Sequence, residues 1–123
     1  MAFDWLISPD NRIEIVQTIV NRDGDPVEDV IIGVGYGIFR GQTTVEYTAP
    51  NSGAFNHVGI VTDYSPEPTH VLIVDGREIT THKYPEINDS AVWRGVRFSI
   101  TGVDPRPNIH GDLVGFTVRC SSG

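Results

Sequence analysis

The chain has little of what disulfide-bonded, membrane-spanning or secreted proteins require. Cys120 is the one cysteine among 123 residues, so no disulfide can form within the chain and no cysteine-based metal site can be built. The longest apolar stretch, Val30–Phe39, is interrupted by glycines and falls well short of the roughly 18 residues of a membrane-spanning helix. Residues 1–7 do not combine a basic segment with a long apolar one, which predicts a cytosolic protein without a signal peptide.

Motifs of catalysis and metal binding are also missing. There is no Gly-x-Ser-x-Gly elbow. The histidines His57, His70, His82 and His110 have none of the short spacings that bring two of them onto one metal. We therefore expect no enzyme, no cofactor and no metal site. The open alternative is a zinc or pH-sensing cluster of His70, His82 and Glu78 across a hairpin.

Basic residues are few relative to acidic ones. The chain has 16 Asp and Glu residues against 9 Lys and Arg, which gives a formal net charge of −7. A negative surface repels the phosphate backbone, so this charge disfavours both specific and non-specific DNA binding. It is compatible with a surface that DNA slides past without adhering.

Alternation of apolar and polar residues is what the chain has in abundance. A period of two is the pattern of half-buried antiparallel strands. The alternating segments are Ile13–Val20, Val27–Phe39, Thr44–Tyr47, His57–Asp63, His70–Val74, Trp93–Val103 and a last run containing Val114, Phe116, Val118 and Cys120. With 13 glycines and 8 prolines to supply turns, the pattern predicts an all-β fold, either a small antiparallel β-sandwich or a barrel. We expect an N-terminal arm over residues 1–12 and a single β domain over residues 13–123.

Turn residues indicate how the strands connect. Asp23-Gly24 and Asp75-Gly76 supply the positive φ of tight hairpins, and a two-residue type I′ turn is expected at the second. Pro105 is expected to end the Trp93–Val103 strand, because proline cannot donate to a ladder. The best helical candidate is Pro85–Val92.

Two segments have an unusual composition. Residues 40–56 are rich in Gly, Thr, Ser, Asn and Pro, which predicts a long loop or hairpin excursion. It is either a segment that orders on assembly or an ordinary mobile hairpin. Gly33, Gly35 and Gly37 leave one strand face bare, which is typical of a tightly packed or bulged strand, with a close subunit contact as the alternative.

Two aromatic–Arg–Gly units, at residues 39–41 and 93–95, carry residue types that often anchor protein interfaces. Trp5 lies in an apolar arm that would be an exposed patch on an isolated monomer. For the second unit, the alternative is that the indole covers the core while the guanidinium is solvated. The candidate assembly interface comprises Trp5, Phe39, Arg40, Tyr47, Pro50, Asn51, Phe55, Trp93 and Arg94.

The second half of the chain has a distinctive order of segments. A strand at His57–Tyr64 precedes a second at His70–Asp75, then a polar connector with Pro85–Asp89, the run Arg97–Pro105, and a last strand at Val114–Val118. In this order, residues 57–120 resemble the small head–tail joining, or head-completion, proteins of tailed phages.

The resemblance implies a structural virion protein of the phage neck, made in the host cytoplasm. Its copies would form a homo-oligomeric ring that joins the DNA-filled capsid to the tail and contacts portal or adaptor proteins on one side and tail proteins on the other. DNA would pass through the lumen without specific binding, and no membrane would be involved. The excursion over residues 40–56 would reach a neighbouring subunit or ring.

The competing interpretation is a carbohydrate-binding β-sandwich. Phe98–Asp104 and Gly115–Arg119 also resemble the H-type lectins, which line a subunit groove with Trp, Asp, Arg and His. The candidates for such a groove are Trp93, Asp104 and His110. A third alternative is an unspecialised β domain of a larger particle, such as a tail or decoration protein.

Overall fold

Antiparallel strands make up most of the described protein. The computed structural model describes residues 11–41, 55–107 and 113–122. The strands are β1 (Arg12–Val20), β2 (Pro26–Gly41), β3 (Phe55–Pro66), β4 (Val71–Val74), β5 (Arg77–Thr80), β6 (Ser90–Trp93), β7 (Val96–Pro107) and β8 (Leu113–Ser122). Six of them close into a barrel in the order β1-β2-β3-β8-β7-β6, while β4 and β5 form a two-stranded sheet. The all-β prediction is confirmed, and of the two predicted architectures the barrel is present.

The period-two alternation becomes the inside and outside of the barrel. On β1, Ile13 and Ile15 are completely buried, whereas Arg12, the first residue of the strand, is exposed. Successive side chains of a strand point to opposite faces, so one set lines the interior. The interior core comprises Ile13, Ile15, Ile32, Phe39, Val61, Ala91, Phe98, Ile100, Phe116, Val118 and Cys120. Because these side chains fill the interior, the barrel is a packed core and not a channel.

Glycines provide the space for the largest interior side chains. A Cβ at Gly33 on β2 would collide with the ring of Tyr64, and a Cβ at Gly59 on β3 would collide with the ring of Phe39. The bare face predicted for β2 is therefore filled from inside the barrel, which confirms the tightly packed strand. The β1–β2 pairing also shifts register at Ile15, which marks the predicted irregularity.

The β4–β5 hairpin packs on the barrel beside the β1–β2 turn. Asp75 and Gly76 have φ angles of 52° and 74°, which confirms the type I′ turn. The backbone N–H of Arg22 donates to Oδ2 of Asp75 at 2.9 Å and ties the two turns together. A second apolar cluster joins hairpin and barrel and comprises Ile19, Val30, Leu72, Val74 and Ile79.

The predicted strand Trp93–Val103 is wrong, because a tight hairpin divides it. Trp93 pairs with Val96 across the turn, and Arg94 and Gly95 have φ angles of 51° and 78°. Trp93 therefore ends β6, and β7 begins at Val96.

The predicted helix at Pro85–Val92 is also wrong. The N–H of Asp89 donates to the carbonyl of Glu86 at 3.1 Å, which closes a turn, and Asn88 has a φ of 80° that a helix does not allow. Strand β6 then starts at Ser90. In the described ranges, no helix has the length and apolar character needed to cross a membrane.

Pro105 does not end its strand as predicted, since β7 continues to Pro107. The pairing between β6 and β7 covers only Val96–Ser99 of β7. Beyond Ser99, β7 pairs with β8, and among the described strands the other side of β7 has no ladder partner at Pro105. Proline is tolerated on such an edge because no N–H is required there.

One arginine connects four barrel strands. Arg97 on β7 donates from Nη1 to Oδ2 of Asp29 on β2 at 2.8 Å, from Nη2 to Oγ1 of Thr18 on β1 at 3.0 Å, and from Nε to Oγ of Ser90 on β6 at 3.0 Å. The hydrogen bonds from Arg97 and Thr18 hold the pKa of the Asp29 carboxyl below its ordinary value. The network therefore joins the β1–β2 pair to the β6–β7 pair, across the β1–β6 pairing that closes the barrel.

We predict that the fit between Phe39 and Gly59 is measurable as a coupling energy. Gly59→Ala should lower the free energy of unfolding by about 1–3 kcal/mol, because the new methyl group overlaps the Phe39 ring. In a Phe39→Leu background the same change should cost clearly less, since the smaller side chain leaves room. Urea unfolding of the four proteins in this cycle gives the coupling. Equal costs in the two backgrounds would contradict the fit.

Candidate functional site

One end of the barrel gathers segments that are far apart in sequence. The first described residue, Asn11, precedes β1 at this end; β2 leaves the barrel at Gly41 and β3 enters it at Phe55. The pairing of Ile13 with Trp93 brings the β6–β7 hairpin to the same end. The ends of residues 1–10 and of the connection 42–54 therefore meet the barrel where this hairpin lies. We call this region the aromatic end; its described side chains are Asn11, Phe39, His57, Trp93, Arg94 and Phe98.

Stacked rings fill the aromatic end. The rings of Phe39 and Phe98 stack with centroids 4.8 Å apart. Trp93 lies 5.8 Å from Phe39, and His57 meets Phe98 edge-on at 4.9 Å. Such contacts stabilise by about 0.5–1.5 kcal/mol each beyond burial, so this end has a rigid aromatic base.

Arg94 lies above that base. Its guanidinium carbon is 4.6 Å from the centroid of the Trp93 ring, a cation–π distance, and its Nη2 donates to Oδ1 of Asn11 at 3.2 Å. The positive φ of Arg94 belongs to the tight hairpin. The indole Nε1–H of Trp93 is buried, and within the described residues it has no hydrogen-bond acceptor.

The structure places the predicted interface residues differently from one another. Phe39 is buried in the core, so its ring packs the barrel, while Arg40 is exposed on β2. Trp93 and Arg94 stack together at the aromatic end, where the indole packs against the core and the guanidinium lies over the indole; whether the unit anchors an interface stays a prediction. Phe55 begins β3 at the same end. Outside the described residues lie Trp5, Tyr47, Pro50 and Asn51, together with the Thr44–Tyr47 strand. The same holds for residues 42–54 of the excursion predicted over residues 40–56, whereas its two ends are wrong, because residues 40 and 41 belong to β2 and residues 55 and 56 to β3.

The opposite end of the barrel carries a cluster that the sequence did not predict. Nε2 of His82 lies 2.6 Å from Oδ2 of Asp89, whose side chain is 5% exposed. Nδ1 of His82 is 3.4 Å from Oε2 of Glu86, and the N–H of Glu86 donates to the same Asp89 oxygen at 2.9 Å. The N–H of His82 donates to Oε1 of Gln17 on β1 at 3.0 Å, which fixes the connector on the barrel. The His–x₆–Asp spacing gives no recognisable signal, because a turn rather than a regular element brings the residues together.

Burial and hydrogen bonding oppose each other at Asp89. Burial raises the pKa of its carboxyl, and the hydrogen bonds from His82 and the Glu86 backbone only partly offset that rise. Tyr64 lies nearby and donates its hydroxyl to the carbonyl of Lys83 at 2.6 Å; burial also raises its pKa. The cluster therefore stabilises the connector chiefly through its hydrogen bonds.

The alternative cluster of His70, His82 and Glu78 is wrong. The backbone N–H of His70 donates to Oγ1 of Thr81 at 2.8 Å, and the carbonyl of His70 accepts from the N–H of Thr81 at 2.9 Å. His82 instead contacts Asp89. Across the three described ranges, no group of three His, Cys, Asp or Glu side chains is arranged to hold a metal ion.

Cys120 is a small apolar residue of the barrel core. It is 1% exposed within the core, and burial raises the pKa of its thiol to about 12. His57 pairs with it across β3 and β8, a proximity that the sequence does not reveal. A thiol with so high a pKa is protonated at neutral pH and is a poor nucleophile.

An open cleft of about 460 Å³ lies near the connector and is lined by Pro66, Glu67, Pro68, Thr69 and Lys83. Its polar side chains are one carboxylate, one ammonium and one hydroxyl, all exposed. Such a cleft has neither the enclosure nor the converging polar groups of a typical small-molecule site.

Comparison with known proteins adds no relative: no family model, no curated protein and no solved structure matches this chain.

We predict that Asp89 makes stability fall as the pH rises through the acid range. Its folded pKa is raised above the unfolded value of about 3.9, so its favourable contribution is complete below the unfolded pKa and is lost as pH rises through the folded pKa. Asp89→Asn does not titrate and retains an acceptor for the Glu86 N–H. Relative to this variant, the wild type should lose free energy of unfolding as pH increases from about 3.

Denaturant unfolding at a series of pH values measures this difference. Asp23→Asn, in the exposed β1–β2 turn, is the matched control and should follow the wild type throughout. A wild type that gains stability over Asp89→Asn with rising pH would mean that the contact with His82 outweighs burial.

Proposed function

We propose that this protein is a structural subunit of the neck of a tailed phage, where a ring of copies joins the DNA-filled capsid to the tail. The observation that carries the proposal is the aromatic end. There the ends of the N-terminal arm and of the long β2–β3 connection meet one rigid face of a closed barrel. A rigid module with long segments attached at one end suits a subunit that reaches its neighbours during assembly.

The packed barrel determines where DNA would pass. Because side chains fill the interior, no duplex can run through a single subunit, and the lumen must lie between copies in a ring. The net charge of −7 favours release of DNA from the lumen wall over retention. In this proposal the protein seals or guides DNA through shape and electrostatic repulsion and performs no catalysis.

The carbohydrate-binding alternative is less well supported. A ring that stacks on a sugar needs a free face, whereas Arg94 lies on the face of Trp93. Asp104 pairs with Arg119 at 3.2 Å and lies toward the end of β7 that is remote from Trp93. Within one copy, these two lectin candidates do not share a groove.

Sedimentation of the native protein tests the proposal. We expect the chain, identified by peptide mass spectrometry in fractionated source lysate, to co-sediment with capsid- or tail-sized particles at a fixed low copy number. Recovery only as a free small oligomer would contradict the neck function. Millimolar or tighter binding on a glycan array would then favour the lectin.

We predict that Arg94 is needed for joining and not for folding. Asn tolerates a positive φ, so Arg94→Asn keeps the hairpin while removing a cation–π contact of about 0.5–1 kcal/mol and the hydrogen bond to Asn11. The melting temperature should fall by several degrees, roughly 4–8 °C per kcal/mol, whereas particles completed with the variant should show a large loss of tail joining in electron micrographs. Lys83→Asn, at the opposite end, is the charge-matched control. Normal joining with Arg94→Asn would remove this end from the interface.

A further inference from the structure

The outer face of β2 and β3 is unusually apolar for the outside of a barrel. Ile38 pairs with Ile60, and Arg40 pairs with Val58, while the intervening Phe39 points into the core. Ile60 is 48% exposed although it lies in the middle of a strand. We call Ile38, Val58, Ile60 and Arg40 the first patch.

Two of the arginines beside the first patch form ion pairs with nearby carboxylates. On the β1 side, Arg12 lies 3.7 Å from Glu14, and on the β8 side, Arg119 lies 3.2 Å from Asp104. Arg40 has no carboxylate partner within the described residues. The patch thus presents an aliphatic centre with one uncompensated positive charge at its edge, an arrangement typical of an interface with an apolar core and a polar rim.

A second patch has the complementary character. On the outer face of the β4–β5 hairpin, Val71 is 57% and Ile73 is 71% exposed. Their cross-strand partners are Thr80 and Glu78. Glu78 makes no ion pair with any described residue, so this patch is aliphatic with one uncompensated negative charge. Leu72 and Val74, on the other face, pack on the barrel.

We propose that the first patch of one copy binds the second patch of the next copy, with Ile73 against Ile38 and Ile60 and with Glu78 facing Arg40. The occupant is a second copy of this chain because the two patches match in both apolar character and charge. Two different surfaces of one chain make a heterologous contact, which repeats from copy to copy and closes into a ring if the rotation allows. The inference rests on the proposed ring and assigns the contact that builds it.

A charge-swap experiment tests the contact with purified full-length protein. Arg40→Glu and Glu78→Arg each place like charges across the contact, so each variant alone should self-associate at least about tenfold more weakly than the wild type in sedimentation velocity. The double variant restores opposite charges and should assemble. An equimolar mixture of the two single variants should also assemble, because each contact then pairs one variant with the other.

Two outcomes of the charge-swap experiment would show that the proposed contact is not the one that forms. Assembly of a single variant as strong as that of the wild type, or failure of both the mixture and the double variant to assemble, would overturn the proposal. A wild type that stays monomeric at about 1 mM protein would overturn it as well.

The apolar part has its own matched pair. Ile73→Ser should weaken self-association, whereas Ile87→Ser should not, although Ile87 is 60% exposed and lies outside both patches. Equal loss with both variants would indicate non-specific apolar association. Circular dichroism should show both variants folded, since neither side chain belongs to a core cluster.

Failure of this inference is separable from failure of the neck function. Co-sedimentation with particles, but no rescue in the charge swap, would retain the neck function and reject these two patches. Rescue in the charge swap without any particle association would retain the contact and reject the neck.

Discussion

The structure depends on the close approach of aromatic rings to bare backbone inside the barrel. Phe39 lies over Gly59 and Tyr64 lies over Gly33, at distances that no Cβ would permit. Six strands enclose little space, and two large rings can share it with branched aliphatic side chains only where the opposite strand has no side chain. The glycines therefore determine how tightly the barrel closes. The rings in turn determine where β2 and β3 lie, and with them the outer face that the same strands present.

The two ends of the barrel are held by different means. At the aromatic end, ring stacking gives a firm base on which Arg94 lies. At the other end, hydrogen bonds of Gln17 and Asp89 hold the connector, and the β4–β5 hairpin adds an apolar cover. Polar bonds and a small cluster suffice there because that end only has to keep the connector and the hairpin in place.

The alternation of apolar and polar residues and the turn residues predicted much of the fold. The features that they did not predict depend on how distant strands pair. Alternation located β1 and β2, and Asp75-Gly76 gave the correct turn because both residues readily adopt a positive φ. The Arg94-Gly95 turn was missed because arginine seldom adopts that conformation and alternation continues across a two-residue hairpin. The meeting of His82 with Asp89 and the gathering of the aromatic end depend on pairings that no single segment encodes. Trp93 and Arg94 were singled out as a unit by residue type, and their stacking required the turn; their role at an interface stays a prediction.

A packed barrel limits what this protein can do. With its interior filled, the described barrel offers other molecules its outer surface and its two ends, and in the described residues the polar clusters are engaged in holding the fold together. Two places on the described surface, one on β2–β3 and one on β4–β5, combine exposed aliphatic side chains with a charge. A molecule that keeps two complementary patches on different faces is constructed to repeat, since each contact leaves one patch free for the next copy. Whether such a chain of contacts closes or continues as a filament is fixed by the angle between the patches. In the proposed assembly that angle follows from how the hairpin packs on Ile19 and Val30, so the small second cluster, rather than the larger core, would determine the size of the ring.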